Sequence, residues 1–290
     1  MQEIFPNYYK KFKCIADRCK HSCCIGWEID IDDDTLDFYN SLDSELGERI
    51  RASIEGDIPH FALDEGERCP FLNKTGLCDI ISQLGQGSIC DICRLHPRFI
   101  NFYEDFSEIG LGLCCEEAAR IVLTAEEKFC LDLPESAKNN EFFRRRGEVF
   151  DILQDRSITV LERLKRLAFE YDLKFEFLSS ELYELYTSLE RLNKSWDGKL
   201  EKLKNSDSVT ALERTDAQIF FEQLACYFVF RHFDCGVGFA LVSCFVLGVI
   251  CSQCRSTGEM LEVVRMYSSE IEYSEENTEK IKSFLESDAL

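Results

Sequence analysis

Ten of the sixteen cysteines fall within the first 115 residues, and several of them are only a few residues apart. The first four form the pattern C-x4-C-x3-C-C, and a later pair forms C-x-x-C. This cysteine block consists of Cys14, Cys19, Cys23, Cys24, Cys69, Cys78, Cys90, Cys93, Cys114 and Cys115. Clustered thiolates are the ligands that soft metals and iron–sulfur clusters need. The block therefore predicts that the chain binds a metal or a cluster.

The spacing within the block favours a cluster over zinc and leaves zinc open. Structural zinc sites usually combine two short Cys or His pairs, and within the block Cys90-x-x-Cys93 is the single C-x-x-C pair. A cubane cluster accepts more scattered thiolates, because each of its irons takes a ligand from a different segment. The C-x3-C-x2-C pattern of radical chemistry with S-adenosylmethionine is absent, since Gly26 stands at the third cysteine position.

The composition indicates the compartment and the class of partner. The N-terminus lacks a basic stretch followed by an apolar one, so no signal peptide is expected and a cytoplasmic location is predicted. Cytosolic thiols stay reduced, which favours metal binding over the alternative of a secreted disulfide domain. The formal charge of −21 offers no basic face for nucleic acid. It suits cationic partners such as protein lysines, although solubility alone would also explain it.

The elements that must position these cysteines can be inferred from the prolines and glycines. All five prolines lie at or before Pro134, and nine of the fifteen glycines lie at or before Gly112. The sequence therefore predicts a mainly α fold, with an irregular cysteine-rich N-terminal half packed on a helical C-terminal half. We expect a metal- or cluster-binding region over 1–130 and a helical region over 131–290.

Local patterns predict individual elements. Apolar and acidic residues alternate over 27–31, which predicts a short strand. Residues 34–40 are predicted to form a helix capped by Asp33 or Asp34. Leucines recur every three or four residues from Leu178 to Leu192 and predict one amphipathic helix.

The remaining C-terminal segments divide into a loop and two buried helices. Residues 193–208 are polar and predict a loop, whereas 219–233 carry aromatic residues on several sides and predict a central helix. Residues 235–254 carry no charge, and their glycines and serines favour a buried core helix over a membrane span. The cysteines at 226, 235 and 244 are then expected to pack as small apolar residues. Cys251-x-x-Cys254 alone is weak evidence for redox or metal chemistry.

Taken together, the motifs resemble the flagellin lysine N-methylase family. The resemblance rests on Phe12-x-Cys14-x4-Cys19-x3-Cys23-Cys24-x-Gly26-Trp27, Cys69-Pro-Phe-Leu, Leu77-Cys78, Cys93-x3-Pro97-Arg98 and Cys115-x-Glu117. It continues through Phe221-Glu-Gln-Leu-Ala-Cys-Tyr-Phe and Arg265-x-Tyr-Ser-x-Glu-Ile-Glu-Tyr-Ser-x-Glu-Asn277, so it covers nearly the whole chain.

The resemblance implies a methyltransferase that moves a methyl group from S-adenosylmethionine to lysine side chains of flagellin and carries a [4Fe–4S] cluster. The cysteines matching the family are Cys14, Cys19, Cys23, Cys24, Cys69, Cys78, Cys93 and Cys115. These exceed the four ligands of one cubane, so either a second metal is present or some thiols serve otherwise. Cys90 and Cys114 look like additions of this sequence. The family's activity also needs groups that hold a sulfonium.

Aromatic faces and carboxylates stabilise a sulfonium cation. Trp27, Arg98 and Tyr103 are the predicted cofactor-binding residues, with Phe99 and Phe102 as further aromatic candidates, although core packing would also explain these aromatic residues. The partner is predicted to be flagellin or another lysine-bearing protein, with no nucleic acid and no membrane involved. No motif identifies a catalytic residue. The alternative hypothesis is a non-enzymatic iron–sulfur or zinc protein with a helical interaction domain, and a third is electron transfer.

Overall fold

The protein is mainly α-helical in a computed structural model that describes residues 2–135, 137 and 140–288, which confirms the predicted fold class. The strands are β1 (Gln2–Ile4), β2 (Ile54–Glu55), β3 (His60–Phe61), β4 (Arg98–Phe102) and β5 (Phe106–Leu111). The helices are α1 (Asp33–Ser41), α2 (Glu45–Ala52), α3 (Asp79–Leu84), α4 (Asp91–Leu95), α5 (Glu116–Leu123), α6 (Glu141–Leu153), α7 (Val160–Glu170), α8 (Ser179–Ser188), α9 (Asp197–Asn205), α10 (Gln218–Arg231), α11 (Val237–Cys251), α12 (Thr257–Tyr267) and α13 (Glu275–Asp288).

The chain divides into two compact units. The smaller unit is Lys13–Phe99, and the larger unit combines Met1–Phe12 with Ile100–Leu290. This division differs from the predicted regions 1–130 and 131–290. The reason is that β1 pairs in parallel with β5, which makes the first residues of the chain part of the larger unit. The smaller unit contains the first eight cysteines of the block.

The smaller unit has short elements around a small core. The rings of Tyr39, Phe61 and Phe71 form the centre of this core, with Phe61 and Phe71 4.9 Å apart between ring centroids. Cys69 and Cys90 are buried in the same core. These two cysteines are two of the ten buried residues of this core, and they pack there as small apolar side chains.

Two local predictions in the smaller unit need correction. Residues 27–31 form no strand; within them only Asp30 makes an isolated bridge, to His60. They have no regular ladder because β3 is only two residues long and pairs with β2. The predicted helix at 34–40 is confirmed as α1, but its cap is Asp32, whose carboxylate accepts the Thr35 N–H at 2.9 Å.

The larger unit is built around α10 and α11, as their sequences predict. Nearly every residue of α10 is buried, and α11 is buried along almost its whole length. Cys226 and Cys244 pack inside these helices without exposure, whereas Cys235 is half-buried. Among the described residues, no helix combines the length and apolar character needed to cross a bilayer.

The predicted helix from Leu178 to Leu192 is shorter than its leucine pattern suggests. Helix α8 ends at Ser188, and Leu178 and Leu192 are 58% and 63% exposed. The chain leaves the helix because the Glu270 carboxylate accepts the N–H groups of Leu192 and Asn193 at 2.9 and 2.8 Å. A tertiary hydrogen bond therefore overrides the local pattern.

The polar segment 193–208 was predicted to be a loop, and this prediction is wrong. It forms α9, preceded by a 3₁₀ turn over Lys194–Trp196. Trp196, Leu200 and Leu203 have no exposed surface. Their spacing of four and three residues places them on one helical face, so three well-placed apolar residues suffice to bury a polar helix.

Two glycines of α11 provide a matched test of packing against the helical core. A Cβ at Gly248 would lie 3.0 Å from Cγ of Leu212, whereas a Cβ at Gly238 would lie 3.4 Å from the end of Leu285. We expect Gly248→Ala to lower the free energy of unfolding by about 1–3 kcal/mol through overpacking. Gly238→Ala should be neutral or stabilising by up to about 1 kcal/mol, because alanine favours helix. Urea unfolding of both variants measures the difference, and equal effects would contradict the close approach.

Candidate cysteine site

Backbone hydrogen bonds bring the first cysteine motif beside Cys69. The N–H of Cys69 donates to the carbonyl of Cys24 at 2.8 Å, and the N–H of Gly26 donates to the carbonyl of Glu67 at 2.9 Å. Gly26 has a φ of +93°, a conformation that side chains with a Cβ rarely adopt. The glycine of the motif therefore allows the turn that aligns the two segments.

Cys78 is held beside the same segment. It forms an isolated bridge with Leu72, and the next N–H, that of Asp79, donates to the carbonyl of Phe71 at 2.8 Å. Cys78 occupies the N-cap position of α3, where the backbone changes from extended to helical. These contacts hold Cys78 against Phe71 and Leu72, which follow Cys69 closely in the chain.

Cys90 and Cys93 belong to α4, which is fastened to α1 by a carboxylate. Cys90 is the N-cap residue of α4 and Cys93 lies within the helix. The Asp91 N–H donates to the second carboxylate oxygen of Asp32 at 2.8 Å. Asp32 therefore caps α1 with one oxygen and holds α4 with the other.

Six thiols of the smaller unit interact with one another, and we call them the thiol group. They are Cys23, Cys24, Cys69, Cys78, Cys90 and Cys93. The side chains of Cys23 and Cys24 share a hydrogen bond, as do those of Cys90 and Cys93. No disulfide joins any pair of cysteines in the described chain.

The pKa values show that these thiols resist ionising together. Burial raises the pKa of Cys69 to about 12, and the sulfur atoms of Cys24, Cys78 and Cys90 act in the same direction. The hydrogen bond with Cys90, followed by burial, raises the pKa of Cys93. The pKa values of Cys24 and Cys90 are instead lowered, each chiefly by its paired thiol. Full ionisation of the group requires a compensating positive charge, which a metal or cluster would supply.

The arrangement of the thiol group can be compared with what a single metal ion and a cluster each require. Among the residues that the structure describes, no three His, Cys, Asp or Glu side chains are arranged around one ion position. Tetrahedral zinc would need its thiolates roughly 3.8 Å apart, from a Zn–S bond of about 2.3 Å. A cubane holds its thiolates farther apart, because each binds a different iron. Buried, mutually interacting thiols without single-ion geometry are compatible with that larger group.

Cys90 is the residue that sequence reasoning set aside and that the structure places inside the thiol group. It is 1% exposed and hydrogen-bonded to Cys93. The C-x-x-C spacing was the feature that could have identified it, because residues three apart share one face of a helix. Comparison with the family's cysteine pattern concealed this, since the pattern does not include Cys90.

The predicted ligands Cys14 and Cys19 lie in the turn before the thiol group. Cys14 is exposed and its sulfur accepts the Ala16 N–H at 3.4 Å, while the Cys19 thiol donates to the carbonyl of His21 at 3.3 Å. This turn passes closely over Gly76, where an added Cβ would lie 3.4 Å from Cα of Asp17.

The last predicted ligand, Cys115, belongs to the larger unit. It is half-buried at the N-cap position of α5, directly after Cys114. Burial raises the pKa of Cys114 to about 12, against a hydrogen bond with Tyr273. The structure thus places six cysteines of the block in one group and Cys114 and Cys115 in the other unit.

The predicted cofactor-binding residues are also divided between the units. Trp27 and Arg98 lie in the smaller unit, and the indole N–H of Trp27 donates to the carbonyl of Cys23 at 2.6 Å. The Trp27 ring lies 6.0 Å from the ring of His96, whose pKa is lowered to about 4 by burial and by Arg98. The imidazole is therefore neutral at pH 7 and adds no positive charge beside the indole face.

Tyr103 packs as a core residue of the larger unit. Its ring stacks on Phe106 at 4.6 Å and meets Phe142 at 5.0 Å. Burial, with Glu108 as a further cause, raises the pKa of Tyr103 to about 12. Of the further aromatic candidates, Phe99 is half-buried in the smaller unit and Phe102 is 72% exposed in the larger one.

Asp32 offers a test of how the thiol group is positioned. Asp32→Ala removes a helix cap, worth about 1 kcal/mol, together with the bond to α4. We expect a lower free energy of unfolding and weaker metal retention than in Asp37→Ala, an exposed site of the same helix. Burial opposes ionisation, but the hydrogen bonds from Asp91 and Thr35 outweigh it and hold the pKa of Asp32 below its usual 3.8.

The lowered pKa of Asp32 determines how its contribution to the free energy of unfolding changes with pH. The charged carboxylate stabilises the fold above the unfolded-state value, and this contribution disappears as the pH falls through the folded-state pKa. Urea unfolding of the wild type and Asp32→Ala at pH 7 and in acid should therefore show a difference that shrinks in acid. A difference independent of pH would contradict the assignment.

Comparison with known proteins relates parts of the chain to two kinds of relative. The flagellar biosynthetic protein FliU of Salmonella muenchen is 25% identical over 151 residues, which cover 48% of this chain and 88% of FliU. Lysine-N-methylases of Salmonella typhimurium and Salmonella choleraesuis are each 25% identical over 137 residues, or 43% of this chain. The matched part spans 33% of each lysine-N-methylase. No protein-family model and no solved structure matches the chain.

Proposed function

We propose that the protein is a protein-lysine N-methyltransferase that uses S-adenosylmethionine and binds an iron–sulfur cluster at the thiol group. The observation that carries the proposal is the convergence of six thiols from separate segments in a chain distantly similar to lysine-N-methylases. The similarity to FliU, which is named for flagellar biosynthesis, supports flagellin as the substrate, with another lysine-bearing protein as the wider class.

Methyl transfer to lysine requires a neutral amine and a well-held sulfonium. A free lysine has a pKa of roughly 10.4 and is almost wholly protonated at pH 7, so the site must desolvate it or remove its proton. The chain's charge of −21 attracts a lysine-bearing substrate. The indole of Trp27, fixed by its bond to Cys23, would offer an aromatic face to the sulfonium. Arg98, in the same unit, is the proposed partner for the cofactor's carboxylate.

The cluster's proposed part requires no change of oxidation state. When bound, it would either order the loops that carry Trp27 and Arg98 or offer an iron position to the amino and carboxylate groups of the cofactor. Displacement of a sulfonium methyl by an amine moves an electron pair and needs no added electron, and the radical-type cysteine triplet is missing at Gly26. The chain's own residues then hold the methyl donor and exclude water from the amine.

The test is incubation of anaerobically purified protein with methyl-labelled S-adenosylmethionine and flagellin, without any reductant. We expect label on flagellin lysines and one S-adenosylhomocysteine for each methyl transferred, because the reaction is a polar displacement. Formation of 5′-deoxyadenosine in step with methylation, or a strict need for a low-potential reductant, would refute this mechanism. Absence of lysine methylation by cluster-loaded protein would refute the activity itself.

A non-enzymatic role remains the second candidate, because the thiol group also serves as core. Cys69 and Cys90 belong to the buried set of the smaller unit, so a metal there would add stability outright. Metal and sulfide analysis separates the two. Iron with acid-labile sulfide supports the cluster, whereas stoichiometric zinc without sulfide supports a structural metal.

A further inference from the structure

A second pair of thiols lies in the larger unit. Cys251 is the last residue of α11, and Cys254 follows it in a turn. The Cys254 N–H donates to the carbonyl of Cys251 at 2.9 Å. Arg214 Nη1 in turn donates to the carbonyl of Cys254 at 2.6 Å. The turn is therefore closed by its own hydrogen bond and held from outside by an arginine.

This turn brings the backbones of the two cysteines within the reach of a disulfide. A turn with this hydrogen bond keeps its first and fourth Cα atoms within about 7 Å. Disulfides bridge Cα atoms about 4.4–6.8 Å apart. The two thiols also shift each other's pKa values, as neighbouring groups do. The pair can therefore be oxidised without a large movement of the backbone.

The two thiols differ in exposure and in acidity. Cys251 is 0% exposed and Cys254 is 7% exposed. The hydrogen bond from Cys251 lowers the pKa of Cys254 to about 7, and Lys202 acts in the same direction against burial and Glu259. The Lys202 ammonium is fixed close by, since it donates to the carbonyl of Ile250 at 3.1 Å. Cys254 is thus the thiol suited to react first, and Cys251 the one suited to resolve.

We propose that Cys251 and Cys254 form a redox-active dithiol that exchanges with low-molecular-weight disulfides such as oxidised glutathione. The thiolate of Cys254 attacks one sulfur of the small disulfide, forming a mixed disulfide and releasing one small thiolate. Cys251 then loses its proton and attacks the Cys254 sulfur, which releases the second small thiolate. The protein loses two protons and two electrons, and the small disulfide takes them up to become two thiols.

This site is separate from the proposed methyltransferase chemistry and from metal binding. Two thiols alone do not complete a metal site, and around them the described chain shows no set of three suitable ligands. The proposal therefore stands or falls independently of the thiol group of the smaller unit.

The experiment treats full-length, metal-loaded protein with excess oxidised glutathione at about pH 7.5, slightly above the pKa of Cys254, which is about 7. Alkylation and peptide mapping follow. Trypsin cleavage after Arg231 and Arg255 releases peptide 232–255, which holds both thiols together with Cys235 and Cys244. We expect this peptide to lose two hydrogens, with fragmentation placing the disulfide between residues 251 and 254. Cys251→Ser should stop at a stable glutathione adduct on Cys254, and Cys254→Ser should leave Cys251 reduced.

Cys244→Ser is the matched control, because Cys244 is buried in the same helix and lies in the same peptide. It should oxidise like the wild type, and circular dichroism should confirm that every variant is folded. In the wild type, the alkylation rate of Cys254 should rise about tenfold per pH unit and level off above about pH 7. A Cys254 that resists glutathione in the folded wild type, or a disulfide to any other cysteine, would overturn the proposal.

Discussion

Serine at position 90 or position 93 is expected to remove the cluster from anaerobically purified protein. Cys90 and Cys93 share a hydrogen bond within the thiol group, and both lie on α4, so each supplies a thiolate to the same side of the group. A serine hydroxyl stays protonated at neutral pH and is a poor ligand for iron. Iron and acid-labile sulfide should fall from about one cubane per chain to near zero, together with the cluster's visible absorption.

The controls for this prediction come from the cysteines outside the group. Cys244 is buried in α11 and Cys130 is exposed, and both lie in the larger unit. Serine at either position should leave the iron content unchanged. Retention of the full cluster in Cys90→Ser would remove Cys90 from the ligand set and restore the ligands implied by the family resemblance. Equal loss in Cys244→Ser with an intact fold would contradict the location of the site.

The sequence predicts what kind of chemistry the cysteines could carry out, but it does not predict which of them come together in the thiol group. Short cysteine spacings indicate metal binding whatever the fold, because few other structures use thiols in that way. Which thiols meet depends on long-range bonds such as Cys69 N–H to Cys24 and Asp91 N–H to Asp32. No spacing rule contains those bonds, so spacing alone does not show which cysteines meet.

The fold shows the same division between local and tertiary causes. Helices α10 and α11 are buried on every side and so could be predicted from composition and length alone. The end of α8 could not, because it depends on the carboxylate of Glu270, about eighty residues away. Helix α9 was missed since its polar surface outweighs the three apolar residues that bury it.

Glu108 and Arg146 form the other site at which a single change should have a large effect. Both side chains are fully buried, and they join β5 to α6 through two hydrogen bonds. Arg146 Nη1 donates a hydrogen bond to Glu108 Oε2 at 2.8 Å, and Nη2 donates one to Oε1. The guanidinium also lies 4.7 Å from the ring centroid of Phe142 and 5.6 Å from that of Phe233. Among the described residues, Glu108 is the carboxylate paired with this buried guanidinium, which is otherwise surrounded by aromatic rings.

Replacing Glu108 by glutamine keeps the shape of the side chain and removes its charge. The buried guanidinium is then left without a counter-charge, which costs about 3–5 kcal/mol when one partner of a buried pair is lost. We expect urea unfolding of Glu108→Gln to show a loss of about 3–5 kcal/mol in the free energy of unfolding. The control is Arg144→Ala, which breaks the exposed ion pair with Glu148 and should cost under about 1 kcal/mol. The double variant Glu108→Leu with Arg146→Met should recover much of the stability, because it removes both charges and keeps the volume apolar. A free energy of unfolding of Glu108→Gln within about 1 kcal/mol of the wild-type value, which is no more than a surface ion pair contributes, would contradict this prediction. It would mean that the aromatic rings alone stabilise the buried charge.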